Sequence, residues 1–308
     1  MTMMVSLPPA LLRITGFTRR SNLVYFLLTA CVFAIFCLYH VNWKKPSIPG
    51  EEYWYGREED WWMKVAIHVH LLCVIPAGML LPLQFLPVMR KRYIGLHRYS
   101  GRLLFVLLII GNITALRLGP KSVGGTIDTQ SSTIVVAIGS TISIFRSWSA
   151  IRGLRMDLHR VWAIRTWALI GSILTLRIML YPLIIGILAL SPDQYHVAKS
   201  CAEIIFLYPT ESTNSTTFSD LYQRYPLCKG GNAMEETFVA VTVTMDRERP
   251  EEMAAMFHAT FGAAFWLGLA INMLACEIYL HATRDEDERL KKVSMSKRKA
   301  LGLEAKRE

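Results

Sequence analysis

The chain has 308 residues, of which 52% are hydrophobic and 19% charged, and its mean hydropathy is +0.30. Soluble domains of this size are less apolar and more charged, so the composition indicates an integral membrane protein. The net charge of +10 does not point to nucleic-acid binding, because the basic residues follow the membrane segments and form no single patch.

Six apolar runs are long enough to cross a bilayer as helices, which takes about 20 residues each. In chain order they are residues 22–40, 63–88, 103–118, 133–150, 161–181 and 253–281. The fifth run stays apolar to Leu190, and we expect Pro182 to kink it. The sequence therefore predicts an all-α polytopic membrane bundle with six transmembrane helices and the bilayer as its main partner.

Basic residues set the predicted orientation. They cluster in the N-terminal segment 1–21, between the second and third helices, between the fourth and fifth, and in the tail 282–308. Cytosolic loops of membrane proteins carry an excess of Lys and Arg, so both termini are expected in the cytosol. Residues 22–190 then hold helices one to five, residues 191–252 form an extracytoplasmic loop, and residues 253–281 return as helix six.

The extracytoplasmic loop carries two features typical of the secretory system. A glycosylation sequon begins at Asn214, and Cys201 and Cys228 share the loop. Both would suit the endoplasmic reticulum or the plasma membrane better than a mitochondrial membrane. The two cysteines either pair as a disulfide or remain reduced, and the sequence leaves both options open.

A Leu-His-Arg sequence occurs twice, each time at the start of an apolar run. The two copies lie within residues 95–102 and 157–165, and they place His97 and His159 at the inner membrane face. Repetition at equivalent places predicts a duplicated helical hairpin. A second pair, His70 and His258, lies near the outer face on two other parallel runs. His68 points away from His70, because residues two apart lie on nearly opposite faces of a helix.

These histidine pairs suggest haem b as a cofactor. Neutral imidazoles from two helices are the axial ligands of a bis-histidine haem, and nearby guanidiniums can neutralise its propionates. His70, His97, His159 and His258 are the candidate ligands, which would make the protein a membrane redox component. No metal other than haem iron is indicated. The alternative is that the histidines are structural and bonded to backbone carbonyls.

Arginines at the inner face suggest a second function. Together with the histidines they could bind a lipid phosphate or a prenyl diphosphate, in a non-catalytic accessory protein or a transporter-like protein. The candidate residues are Arg98, Arg102, Arg160, Arg165 and the intramembrane Arg177. The sequence contains no nucleotide-binding loop and no nucleophile elbow, so it assigns no catalytic residue. The charged tail reads as a solvated helix, with partner binding as the alternative.

Between about residues 66 and 179 the chain resembles a family of predicted membrane proteins known as domain of unknown function 2306. The resemblance rests on a helical histidine, which is His70 or alternatively His68, on Gln84-Phe85 and on two paired motifs. The motifs are His97-Arg98 with Gly101-Arg102, and His159-Arg160 with Trp162 and Arg165; Arg177 follows. The family carries no settled activity, so the resemblance implies a fold and a residue set. It also suggests a fungal source and a role beside a biosynthetic pathway.

Overall fold

The computed structural model describes residues 9–17, 20–40, 61–190, 194–208, 215–230, 234, 236–246 and 248–303. Its main helices are α1 (Pro9–Thr15), α2 (Arg20–His40), α3 (Trp61–Phe85), α4 (Pro87–Lys91), α5 (Ile94–Leu118), α6 (Ile127–Arg152), α7 (Met156–Leu190), α8 (Cys201–Phe206), α9 (Ser215–Arg224), α10 (Pro250–Ala282) and α11 (Arg284–Ala300). Strands β1 (His196–Ser200) and β2 (Phe238–Thr242) pair antiparallel, with Ala198 opposite Ala240.

Five of the described helices are long and apolar enough to cross a membrane: α3, α5 with its short continuation to Val123, α6, α7 and α10. The prediction of an all-α polytopic membrane protein is confirmed at this level. Helix α2 has a shorter apolar stretch, Asn22–Leu38, so a sixth crossing remains a prediction. Helix α7 runs for 35 residues and includes Pro182.

The chain divides into two compact units. The first comprises residues 1–45 and 66–115, and the second comprises residues 46–65 and 116–308. Helices α3 and α5 form a hairpin in the first unit, where Gly111 lets them approach closely: a Cβ at this position would lie 2.8 Å from Cγ1 of Val74. Small residues at such crossings are typical of membrane bundles, because lipid-embedded helices associate through close packing.

The second unit is built on α7, which packs against α6 and most extensively against α10. A Cβ at Gly268 of α10 would lie 2.8 Å from the backbone nitrogen of Leu176 in α7. One turn away, Asn272 donates a hydrogen bond from Nδ2 to the Ala168 carbonyl at 3.2 Å, and Thr175 donates to its Oδ1 at 3.0 Å. Close packing and interhelical hydrogen bonds thus hold α7 and α10 together.

A small lobe covers the ends of α7 and α10 in the second unit. It contains β1, α8, α9 and β2, and its side chains share one apolar core with Leu180 and Ile184 of α7 and Met256 of α10. The sequence did not predict this two-stranded sheet. Its strands are five residues each and lie within a loop whose alternation is too short to stand out.

Candidate functional site

His70 is held by the neighbouring helix of its hairpin. Its Nδ1 lies 3.0 Å from the Gly111 carbonyl and 3.1 Å from Oγ1 of Thr114. A carbonyl oxygen can only accept, so Nδ1 carries the hydrogen and Nε2 keeps the lone pair. His68, two residues earlier, is exposed. The helix therefore turns His70 towards α5.

Where α3 ends and α5 begins, Gln84 contacts the turn that carries the first His-Arg motif. Nε2 of Gln84 donates to Oγ of Ser100 at 2.8 Å, and a Cβ at Gly101 would lie 3.3 Å from Oε1 of Gln84. His97 is half-buried, whereas the side chains of Arg98 and Arg102 are exposed. Neither arginine forms an ion pair with another residue in the described ranges, so both are available to an external anion.

His159 has the same hydrogen-bond arrangement as His70, in the hairpin formed by α6 and α7. Its Nδ1 lies 3.0 Å from the carbonyl of Ser147 and 2.8 Å from the hydroxyl of that serine. The Ser147 hydroxyl also reaches the His159 carbonyl at 3.3 Å, which gives its hydrogen an acceptor. Nδ1 of His159 is therefore the donor to the carbonyl, and Nε2 again keeps its lone pair.

The two arginines of the second motif are already paired. Arg160 donates to Asp287 at 2.5 Å and to Thr283 at 2.7 Å, both contributed by the tail. Arg165 donates hydrogen bonds to both carboxylate oxygens of Glu277 on α10, at 2.8 and 3.1 Å. The contact of Arg165 with Glu277 is bidentate and that of Arg160 with Asp287 is a single bond, so an external anion would have to displace a carboxylate from either arginine.

Arg177 is a half-buried charged residue within the apolar helix α7. The structure places its guanidinium 5.4 Å from the centroid of the Phe261 ring on α10. A cation over an aromatic face is attracted by the ring quadrupole, and the attraction grows where water is excluded. The aromatic ring therefore supplies part of the stabilisation that this buried charge needs.

His258 lies near the lobe end of α10, among charged groups that the sequence analysis did not single out. Lys199 and Asp128 are close enough to act electrostatically on its ring, and Nδ1 of His258 is buried without a described hydrogen-bond partner. Lys199 is itself paired with Glu203, at 2.5 Å between Nζ and Oε1. An acidic residue at the start of an apolar helix is unusual enough to mark Asp128 as a candidate from the sequence. Nothing in the sequence, however, placed Asp128 near residue 258.

A disulfide closes the lobe internally, and a buried carboxylate of α10 attaches the lobe to that helix. Cys201 and Cys228 are joined, with their Cα atoms 5.3 Å apart. Glu251, which is fully buried, accepts from the Tyr208 hydroxyl at 2.6 Å and pairs with Arg224 at 3.1 Å. Burial and the Glu251 carboxylate raise the pKa of Tyr208. Asn214, the predicted glycosylation site, lies outside the described residues.

The histidines are distributed over both compact units. His70 and His97 belong to the first unit, and His159 and His258 belong to the second. His70 and His159 each contact a backbone carbonyl within their own hairpin, and His258 lies near the charged groups named above. Whether His70 pairs with His258 and His97 with His159 therefore stays a prediction. No group of three or more metal-ligating side chains occurs among the residues that the structure describes.

A known protein family matches the region that contains the α3–α5 and α6–α7 hairpins. Residues 66–210 match the DUF2306 model, a predicted membrane protein family. The match confirms the resemblance inferred from the two His-Arg motifs, and it extends through α7 into the lobe. Helix α10 and the tail lie beyond the DUF2306 region, although α10 supplies Glu277 to an arginine inside it.

A curated relative covers most of the chain. It is the Ava biosynthesis cluster protein G of Aspergillus versicolor, which is 24% identical over 283 residues; the match covers 77% of this chain and 79% of that protein. No solved structure matches. The relative thus extends the similarity well beyond the DUF2306 region.

Proposed function

We propose that this multi-pass membrane protein serves a biosynthetic pathway as a redox component that holds haem b. The name of the Aspergillus relative supports the pathway part of the proposal. The cofactor part rests on one observation: Nδ1 of His70 and of His159 each donates to a backbone carbonyl, at 3.0 Å in both cases. Metal-bound histidines usually have this arrangement, because it fixes the tautomer and directs Nε2 at the metal.

The four candidate histidines are not equally suited to bind haem iron. His70 and His159 have the tautomer that iron ligation by Nε2 requires, and His97 begins a helix at the inner face in the same way as His159. His258 lies instead near Lys199 and Asp128. A bound haem would supply one-electron transfer, and the chain's own part would be to orient the imidazoles and exclude water.

The test is the absorbance spectrum of the purified protein in mild detergent, oxidised and after dithionite. We expect a six-coordinate haem spectrum from the wild type, and loss of bound haem in His70→Ala and His159→Ala. His68→Ala and His281→Ala are matched controls, because both residues are exposed and lie on the same set of helices. Folded protein expressed with ample haem but lacking a Soret band would overturn the proposal.

A second candidate function is binding of a lipid or prenyl anion at the inner face. Arg98 and Arg102 favour it, because they lie one turn apart on α5 with exposed side chains. Arg160 and Arg165 support it less, since each already holds a carboxylate. We expect Arg98→Ala and Arg102→Ala to weaken binding of farnesyl diphosphate, measured by equilibrium dialysis, while Arg165→Ala leaves it nearly unchanged. Equal losses in all three variants would contradict this assignment.

A further inference from the structure

The tail helix α11 docks on the start of α7, and the contact reaches the second His-Arg motif. Arg160 is held from the tail side by Asp287 and Thr283, as described above. Near the other end of α11, Nη1 of Arg298 donates to the Gly153 carbonyl at 3.0 Å. Because α11 is otherwise strongly charged and exposed, these polar contacts account for much of its attachment.

Ser294 lies at the centre of this contact and is only 1% exposed. Its hydroxyl accepts from the backbone nitrogen of Met156 at 2.9 Å and lies 3.2 Å from Oδ1 of Asp157, to which it donates. Met156 is the first residue of α7, so its N–H has no acceptor within the helix. Ser294 therefore caps α7 from another helix, in the way that serines usually cap their own.

A phosphoryl group on Ser294 is incompatible with this docking. The hydroxyl is enclosed, and its acceptor Asp157 is a carboxylate with 7% exposure. A phosphoserine carries a charge of about −1.5 to −2 and would face that carboxylate at hydrogen-bond distance. The positive end of α7 does not compensate, because Asp157 already occupies it and pairs with Arg155 at 3.4 Å.

The sequence around Ser294 suits a kinase that selects basic substrates. Lys291 and Lys292 precede it, Lys297 and Arg298 follow it, and the first three of these are exposed. Such a kinase could reach Ser294 only while α11 is released from α7. Phosphorylation would then hold the helix in the released state, because the docked state excludes the phosphoryl group.

We infer that Ser294 is a phosphorylation site and that its modification releases α11 from the second His-Arg motif. In the reaction, the Ser294 oxygen forms a bond to the γ-phosphorus of ATP, the bond to the β-phosphate oxygen breaks, ADP leaves and the hydroxyl proton passes to the kinase base. Release removes Asp287 from Arg160 and opens that guanidinium to an external anion. The inference rests on the proposed cytosolic location of the C-terminus, where kinases and ATP are found.

The first experiment compares Ser294→Glu with Ser296→Glu in the full-length protein. Ser296 lies two residues further along the same basic stretch and is exposed, so it is a matched control. We expect trypsin to cut within α11 about tenfold faster in Ser294→Glu and less than about twofold faster in Ser296→Glu, because only the first charge faces Asp157. Equal cleavage rates in the two variants would overturn the inference.

The second experiment treats the purified wild-type protein with a basic-directed protein kinase and ATP, followed by mapping of the phosphopeptide. We expect phosphate on Ser294, and faster incorporation in Asp287→Ala, which removes one attachment of α11. Phosphate on Ser296 alone would overturn the inference. Because purified protein is used, this outcome is independent of the membrane orientation, which the glycosylation test below addresses separately.

Discussion

The carboxylate of Asp128 occupies the space that a side chain at Gly262 would need. A Cβ built at Gly262 would lie 2.1 Å from Oδ2 and 2.7 Å from Oδ1 of Asp128. Asp128 belongs to the first turn of α6, and Gly262 lies one turn from His258 on α10. A glycine is therefore required where the two helices meet near the lobe.

Gly262→Ala should destabilise the second unit. The alanine methyl would overlap the Asp128 carboxylate, which would have to rotate away from residue 262, and overpacking costs about 1–3 kcal/mol where a neighbour cannot fully relax. Thermal unfolding in detergent would show a lower Tm. Gly186→Ala is the control, since a Cβ at that position of α7 meets nothing within 4 Å.

The double variant Gly262→Ala with Asp128→Ala tests whether the clash with the Asp128 carboxylate causes the destabilisation. Removing the carboxylate makes room for the new methyl group, so the two substitutions should be less damaging together than the sum of their separate effects. If the effects simply add, the clash with Asp128 is not the reason for the destabilisation.

Tyr208→Phe should loosen the lobe from α10. The substitution removes the hydroxyl that donates to the buried carboxylate of Glu251 and leaves one oxygen without that partner. We expect a loss of about 1–3 kcal/mol in the free energy of unfolding, read from denaturant titration. Tyr222→Phe is the control on the same lobe, and an equal loss there would contradict a specific role for Tyr208.

The lobe should also lose stability in strong alkali. Burial, reinforced by Glu251 and Glu252, raises the pKa of Tyr225 to about 12. A raised pKa means that the folded state holds this proton more tightly than the unfolded state does. The stability contribution is therefore complete below the ordinary tyrosine pKa of about 10 and is lost as the pH rises towards 12.

Tyrosinate absorbance during a pH titration measures this effect. Wild-type protein should show a component that ionises near pH 12 while the protein stays folded, and Tyr225→Phe should lack part of it. Ionisation of all tyrosines near pH 10 in folded protein would contradict the prediction.

Loss of the disulfide should destabilise the lobe more than loss of any cysteine in the helices. Cys201 and Cys228 are separated by 27 residues, for which the chain-entropy model gives about 3–4 kcal/mol. The double variant Cys201→Ser with Cys228→Ser should become sensitive to proteases within the lobe. Cys31→Ser, at an exposed position of α2, should not.

Glycosylation tests the proposed membrane orientation. We expect endoglycosidase treatment to increase the gel mobility of the wild type but not of Asn214→Gln. Asn112 also lies in a sequon, but it is within α5 and should carry no glycan, so Asn112→Gln should behave as wild type. A glycan at neither position in a eukaryotic host would argue against an extracytoplasmic lobe.

The all-α membrane-spanning character could be predicted from the sequence, because hydrophobic length is a local property, while the orientation inferred from the basic flanks stays a prediction. Which of His70 and His68 serves as a ligand stays a prediction, but their opposite orientations followed from helical periodicity. The pairing of Arg165 with Glu277 did not, since it links residues 112 positions apart. The close approach of Asp128 to Gly262 and the hydrogen bond between Ser294 and Met156 could not be predicted either. Both depend on how separate helices pack together.

The ion pair between Arg165 and Glu277 has a consequence for how the protein is made. During synthesis the arginine leaves the ribosome 112 residues before its counter-charge. At about 5–20 residues per second, roughly 6–22 s pass before the pair can close. Until then the Arg165 guanidinium lacks its carboxylate partner on α10, so we expect a nascent chain truncated before α10 to stay longer with the insertion machinery than the full-length chain.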